Sequence, residues 1–201
     1  TNQILPKLNS IYHHLLVDPE VLLPDNAACL RLPGTDGKAK MSKSLGNCIY
    51  LADDPKEVQK KIMSMYTDPL HLRIEDPGHL EGNAVFTYLD AFCKPEHFER
   101  YLPEYAGLDE LKVHYQRGGL GDVKIKKFLN KIIQEELEPI RARRKEYEKD
   151  IAAVYDILKA GTEAARETAA QTMDEVKKAM KIDYFNDRSL LEGQEEKYSR
   201  R

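Results

Sequence analysis

Lys40-Met41-Ser42-Lys43-Ser44 is the stretch of this sequence best equipped for chemistry. Two ammonium groups three residues apart on a tight loop can converge on one anion. Two hydroxyls and the nearby backbone N–H groups can bond the same oxygens. Lys38 brings a third lysine within six residues. The ligand such a loop suits is a polyphosphate. Gly34 and Gly37 before it, and Gly46 after it, leave the backbone free to rearrange around a ligand. A KxxK spacing alone is an ordinary surface feature. What points to phosphate is the full pentapeptide, set after an apolar segment and before a helical domain.

The elements that must position this loop differ on its two sides. Residues 7–16 predict a short helix, broken at Asp18-Pro19. Pro24-Asp25-Asn26 reads as a turn, and Ala27 to Leu32 as a short buried strand. A lone strand leaves its backbone groups without partners, so this one implies a sheet whose other strands lie on polypeptide beyond this chain. Pro33 to Gly37 is a loop. After the pentapeptide, Asp53-Asp54-Pro55 starts a helix over 55–66, with Val58, Ile62, Met65 and Tyr66 facing a core. Thr67-Asp68-Pro69 stops it, and residues 70–82 form a surface loop. Asn83 caps a helix over 84–93, Pro95 opens another, and Leu108 to Gln116 makes a third. Gly118, Gly119 and Gly121 mark a break. Asp122 caps a long helix reaching about residue 159, kinked at Pro139, with Ile125, Leu129, Ile132, Ile133, Leu137, Ile140 and Tyr147 as its core stripe. Gly161 ends it, Thr162 caps a final helix over 163–180, and the tail from Asp187 frays.

Composition narrows the class. The 201 residues are 41% hydrophobic and 32% charged, with a net charge of −3. No apolar run approaches the roughly 18–20 residues of a membrane span, and no basic segment followed by an apolar one suggests a secretory signal. Cys29, Cys48 and Cys93 are far apart, with no CxxC pair, so reduced thiols are expected and a metal site is not. His13 and His14, adjacent on a helix, would point about 100° apart and could not share a ligand face. The charge is uneven: Lys112 to Lys149 holds eleven Lys/Arg against six Asp/Glu. Such a local excess can attract a phosphate backbone. The start, Thr1-Asn2-Gln3-Ile4-Leu5, reads as the middle of a longer chain or a processed end.

The pentapeptide is also the second motif of the class I aminoacyl-tRNA synthetases, and LPGTDGKAKMSKSLGN resembles the tryptophanyl-tRNA synthetases in particular. TDP at 67–69, GGLGDVKIKKFL at 118–129, EPIRARRKEYEKD at 138–150 and LKAGTEAAR at 158–166 resemble them too. The resemblance spans about residues 15–182. It implies a mainly α fold: the C-terminal remnant of a Rossmann-type α/β catalytic domain with the loop over residues 1–52, a helical anticodon-binding bundle over 53–186, and a polar tail over 187–201.

That resemblance further implies ATP-dependent activation of tryptophan and transfer to tRNA(Trp), in the cytoplasm, with Mg²⁺ carried on the substrate phosphates and a homodimer for the complete enzyme. Lys40 and Lys43 would hold the triphosphate and neutralise the leaving pyrophosphate. Ser42 and Ser44 would bond phosphate oxygens, while Met41 and Leu30 would touch the nucleotide through their backbones. Lys124, Lys126, Lys127, Arg141 and Lys145, with Lys131, Arg143 and Arg144 beside them, are candidate tRNA contacts. Arg141 and Lys145, four residues apart, could lie on one helix face, and Arg144 could pair with Glu148. The first class I motif, a HIGH-type tetrapeptide, is not in the sequence, nor are the glycine-rich ATP turn and the tryptophan pocket. The chain alone is therefore expected not to form the adenylate. Another class I synthetase such as the tyrosyl enzyme, or a non-catalytic tRNA-binding module, is the alternative.

Overall fold

A computed structural model describes residues 3–12 and 15–199, so the His13–His14 pair lies outside the described residues. The chain divides into two compact units, Leu23–Lys149 and Thr1–Leu22 with Asp150–Arg201. All buried hydrophobic residues among those described lie in the first.

Helix α1 spans Leu5–Tyr12. It ends before the expected residue 16. The side chain of Asn9 instead accepts the Leu16 N–H at 2.9 Å and donates to the Leu16 carbonyl at 2.7 Å. The strand expected over Ala27–Leu32 does not form. Ala27–Cys29 is a 3₁₀ turn, in which Asn26 accepts the Cys29 N–H on its carbonyl and the Ala28 N–H on its side chain. Asn is a local competitor of extended backbone. Among the described residues the pairing is limited to one antiparallel bridge, Pro33 with Lys40.

Helix α2 (Pro55–Met63) starts where the sequence requires. The Asp54 carboxylate accepts the N–H groups of Lys56 and Glu57 at 2.8 and 2.9 Å, and Pro55 has no N–H to satisfy. The helix ends three residues short of 66, and the Tyr66 N–H donates to the Thr35 carbonyl at 2.9 Å. The exit of α2 is thereby tied to the glycine loop. Helices α3 (Ala84–Phe92), α4 (Pro95–Tyr101) and α5 (Leu108–Arg117) follow.

Helix α6 (Asp122–Glu148) is the spine against which α2, α3 and α4 pack. Ile125, Leu129, Ile132, Ile133 and Leu137 are buried along it, with Phe128 beside them. Truncating Leu129, which is 0% exposed, to Ala would cost about 2–5 kcal/mol. Two residues of the expected stripe are not core: Ile140 is 40% and Tyr147 57% exposed. Gly121, not Asp122, occupies the N-cap, which frees the Asp122 carboxylate for other partners.

The expected break at Gly161-Thr162 is also displaced. The chain breaks at Lys149–Asp150, where the Asp150 side chain accepts the Ala153 N–H at 3.0 Å and caps α7 (Ile151–Ala179). Gly161 lies inside α7. A glycine there costs only about 1 kcal/mol, too little to end an alanine-rich helix. Thr162 turns its hydroxyl back onto the Leu158 carbonyl at 2.7 Å instead of capping. The tail is helical as well, α8 covering Arg188–Ser199 behind an Asp187 that accepts the Leu190 N–H. Neither α7 nor α8 buries a residue. Among the described residues no helix is long and apolar enough to cross a membrane.

Candidate functional site

The phosphate-loop candidate is closed at its base by backbone bonds. The Gly34 N–H donates to the Ala39 carbonyl at 2.8 Å, and the Gly37 N–H to the Gly34 carbonyl at 2.9 Å. Gly37 has a φ of +67°, and a Cβ there would sit 2.7 Å from the Tyr66 ring. The position needs glycine twice over. The Tyr88 hydroxyl on α3 donates to the Pro33 carbonyl at 2.9 Å and fixes the loop to the core.

Within this frame one amide organises the motif. Asn47 is 5% exposed. Its Oδ1 accepts the Ser42 N–H at 2.8 Å. Its Nδ2 donates to both Asp36 carboxylate oxygens at 3.2 Å and to the Lys40 carbonyl at 3.4 Å. Its own carbonyl accepts the Thr35 N–H at 2.9 Å. A Cβ at Gly34 would come within 2.1 Å of that Nδ2, so glycine 34 makes room for the amide. Burial pulls against ionisation of Asp36, but the Lys38 N–H, the Asn47 amide and the Ala39 N–H together hold its carboxyl below the usual carboxylate range.

The groups left over are those the sequence singles out. Lys40 and Lys43 are exposed, and neither ammonium has an ion-pair partner among the described residues. The Ser42 and Ser44 hydroxyls share a hydrogen bond of 2.9 Å. Met41 turns inward and packs on the core, while Leu30 is 54% exposed just past the 3₁₀ turn. Beside the loop, a cleft of about 580 Å³ is walled by Met41, Ser42 and Lys43 on one side and by Ile140 and Arg144 of α6 on the other. This is where the exposed Ile140 lies.

The basic residues of α6 have other fates. Lys124 bonds Glu104 at 2.7 Å and lies 5.4 Å over the Tyr105 ring; the Glu104 bond first, then those neighbours, raises its pKa against burial. Lys126 is half-buried and donates to the Met63 carbonyl at 3.2 Å, and desolvation lowers its pKa. Arg141 is 7% exposed and donates to the Gln134 carbonyl and side chain and to Glu138 at 2.9–3.3 Å. It does not share a free face with Lys145, which is exposed. Arg144 pairs with Glu148 at 2.7 Å. Lys127, Lys131, Arg143 and Lys145 are exposed without an ion pair among the described residues.

Sequence reading missed two groups. Asn47 and Asp36 hold the loop, but an Asn after a Gly is too common to be a signal. The second group is a buried cluster at the start of α6. There the Asp122 carboxylate accepts from the Thr67 hydroxyl at 2.8 Å, the Tyr115 hydroxyl at 2.8 Å and His71 Nδ1 at 3.0 Å. Burial first, and then the bond to Asp122, push the Tyr115 phenol upward and keep it a donor. Thr67 belongs to the TDP triplet, which is the one sequence hint of this cluster.

Comparison with known proteins points to one family. The profile described as tRNA synthetases class I (W and Y) matches residues 1–138. The Tryptophan--tRNA ligase of Clostridium longisporum is 57% identical over 185 residues, covering 92% of this chain and 51% of that protein. The one from Streptococcus pyogenes serotype M3 is 54% identical over 186 residues, covering 92% and 53%. This chain thus spans about half the length of the curated relatives it matches. Among solved structures, the tryptophanyl-tRNA synthetase of Campylobacter jejuni complexed with ADP and tryptophan superposes with a TM-score of 0.62 at 28% identity, covering 89% of this chain and 51% of that one. With its loop, its helical spine and more than two thirds of its length matching, the chain belongs to the tRNA synthetases class I (W and Y).

Proposed function

We propose that this chain provides the ATP-phosphate loop and the helical tRNA-reading half of a tryptophan–tRNA ligase. The observation that carries the reading is the pair of exposed ammonium groups, Lys40 and Lys43, without an ion pair among the described residues, on a loop that Asn47 holds at Lys40 and Ser42. The relatives' names and the ADP and tryptophan in the Campylobacter structure support the choice of reaction.

In that reaction the tryptophan carboxylate attacks the α-phosphorus of ATP in line, and pyrophosphate leaves. A ribose hydroxyl at the tRNA 3′ end then attacks the aminoacyl carbonyl of the adenylate, and AMP leaves. Negative charge builds on the leaving pyrophosphate, and Lys40 and Lys43 neutralise it. The Ser42 and Ser44 hydroxyls exchange their mutual bond for phosphate oxygens. The inward Met41 anchors the strip of backbone that, with Leu30, runs past the nucleotide. The cations of this loop repel a metal ion, and its one carboxylate, Asp36, is already bonded to the Asn47 amide. Mg²⁺ would therefore arrive on the substrate phosphates, and no step is assigned to it.

Within the helical half, Lys127 and Lys145 are the proposed tRNA phosphate contacts. Lys124, Lys126 and Arg141 support the surface that presents them. The module boundaries we assign are 1–52 for the catalytic layer, 53–186 for the helical domain and 187–201 for the tail, in a cytoplasmic homodimer. The test is tryptophan-dependent pyrophosphate exchange by the synthetase carrying this chain, with Lys40→Ala and Lys43→Ala combined. We expect a loss of about 10³-fold, on the scale of removing preorganised charge partners. Unchanged exchange refutes the reading.

A further inference from the structure

Residues 46–53 carry the chain out of the phosphate loop and into α2, and they are held more firmly than a surface connection requires. Gly46 donates its N–H to the Lys43 carbonyl at 3.2 Å. Asn47 and Cys48 are each 5% exposed, and Ile49 packs on the core. Tyr50 to Asp53 then form a turn. In it the Asp53 N–H donates to the Tyr50 carbonyl at 3.1 Å, and the Asp53 carboxylate accepts the Tyr50 N–H at 2.8 Å. Tyr50, Leu51 and Ala52 of this turn line the same cleft as Ser42 and Lys43.

The turn is tied to α2 by one side chain. The Lys61 ammonium donates at 2.6 Å to Asp53 Oδ2, the oxygen that also accepts the Tyr50 N–H, and it lies 4.6 Å from the centre of the Tyr50 ring. The Lys61 and Asp53 side chains are 17% and 11% exposed, whereas those of the Lys124–Glu104 and Arg144–Glu148 pairs on α6 are 47–60% exposed. Drawing two charges out of water costs about as much as their attraction returns, so such a pair adds little stability over a neutral pair of similar shape. What it does supply is a fixed direction and distance between two segments. Just past the end of α2, the Tyr66 N–H holds the Thr35 carbonyl at 2.9 Å. Thr35 is on the entry side of the loop and Asp53 on its exit side, so α2 and the residues leaving it grip both arms.

We propose that Lys61 and Asp53 are positioning residues for the phosphate loop: by clamping its exit arm to α2 they set where Ser42 and Lys43 stand as pyrophosphate leaves. The pair acts through the backbone from Tyr50 back to Lys43 and takes no part in the chemistry itself. This rests on the reading of the loop as the ATP-phosphate site.

The test is made in the synthetase carrying this chain, with Asp53→Asn and Lys61→Met combined. Asparagine still accepts the Tyr50 N–H, and the neutral pair leaves no unpaired buried charge. The melting temperature should therefore stay within about 3 °C of the parent. Single-turnover adenylate formation should nevertheless slow about tenfold, with the Kd of ATP and the KM of tRNA each changed less than about threefold. Ile132→Val, a trim of the buried α6 stripe, is the control for lost stability. A parental rate in the folded double variant overturns the proposal. So does slowing no greater than Ile132→Val shows at an equal loss in melting temperature. A loss found only in ATP affinity, or a raised tRNA KM in place of the slower rate, overturns it too. If the double variant does not fold, Asp53→Asn alone is measured against the same outcomes, since the freed Lys61 ammonium can swing out to water. Lys40→Ala with Lys43→Ala judges the reading beneath: unchanged pyrophosphate exchange there removes the ATP reading and the anchor with it. A loss there beside a parental double variant removes the anchor alone.

Discussion

In the phosphate loop, Lys40 and Lys43 stand exposed with no ion pair among the described residues, while the backbone beneath them is fixed by Asn47, Asp36 and Tyr88. For three cations of α6 the situation is reversed. Lys124 is bound by Glu104, Lys126 by the Met63 carbonyl and Arg141 by Gln134 and Glu138. Both regions carry several cations, and the sequence offers both as candidate anion contacts. The difference is whether the local frame is satisfied by other groups. Where an amide and a carboxylate carry the framework, the cations are left for a ligand. Where the cations are the framework, they are not.

The comparison is most sharply broken at Asn47. Replacing it by Ala removes four hydrogen bonds from the loop while leaving both lysines in place. In the synthetase carrying this chain, pyrophosphate exchange should fall about 10–100-fold, since small misplacement of charge partners is that expensive. An unchanged rate would mean that the lysines need no fixed backbone. Next in size is Arg141→Ala. Leaving its acceptors unmet should lower stability by about 1–3 kcal/mol in thermal or urea unfolding, with the tRNA KM unmoved. A raised tRNA KM at unchanged stability would return Arg141 to the ligand-binding set.

These contrasts separate what the residues announce from what they hide. Asp54-Pro55 and Asn83 start helices through bonds to the next two or three residues, and the α6 stripe from Ile125 to Leu137 repeats at helical spacing. Both signals are local, so both were readable. The loop lysines stood out by their types and spacing, and the structure leaves both exposed. Asn47 was not, since its role depends on Asp36, eleven positions away, folding back onto it. Arg141 looked like a surface cation, and only the proximity of Gln134 one helical stretch earlier makes it a buried one. The 27–32 segment has strand-like composition, but Asn26 captures its first N–H groups into a turn. The α6–α7 break was masked for a similar reason: Gly161-Thr162 looks like a helix end, whereas Asp150 makes the cap.

Two smaller effects refine the contrast. Asp36 titrates below the ordinary aspartate value of about 3.9, so its contribution to the loop is fully present above that pH and is lost as the pH falls through its lower folded value. The stability gap between the parent and Asp36→Asn should accordingly be constant from about pH 7 to about pH 5 and close as the pH falls below the ordinary carboxylate range. A gap that persists in acid would show that the carboxylate charge is not what the Asn47 amide needs. Smallest of all, Lys124→Gln should cost only about 0.2–1 kcal/mol, as expected of an exposed pair, and most of that should vanish in 1 M salt, taken as roughly a 3 Å screening length.

The central claim is that the loop lysines act on charge that develops as pyrophosphate leaves. Single-turnover adenylate formation, with ATP affinity and chemical rate measured separately, addresses it most directly. With Lys40 and Lys43 both replaced by Ala, the account expects the chemical rate to drop about 10³-fold while the ATP Kd changes less than about tenfold. A chemical rate equal to that of the parent, with all of the loss in ATP affinity or none at all, would contradict it.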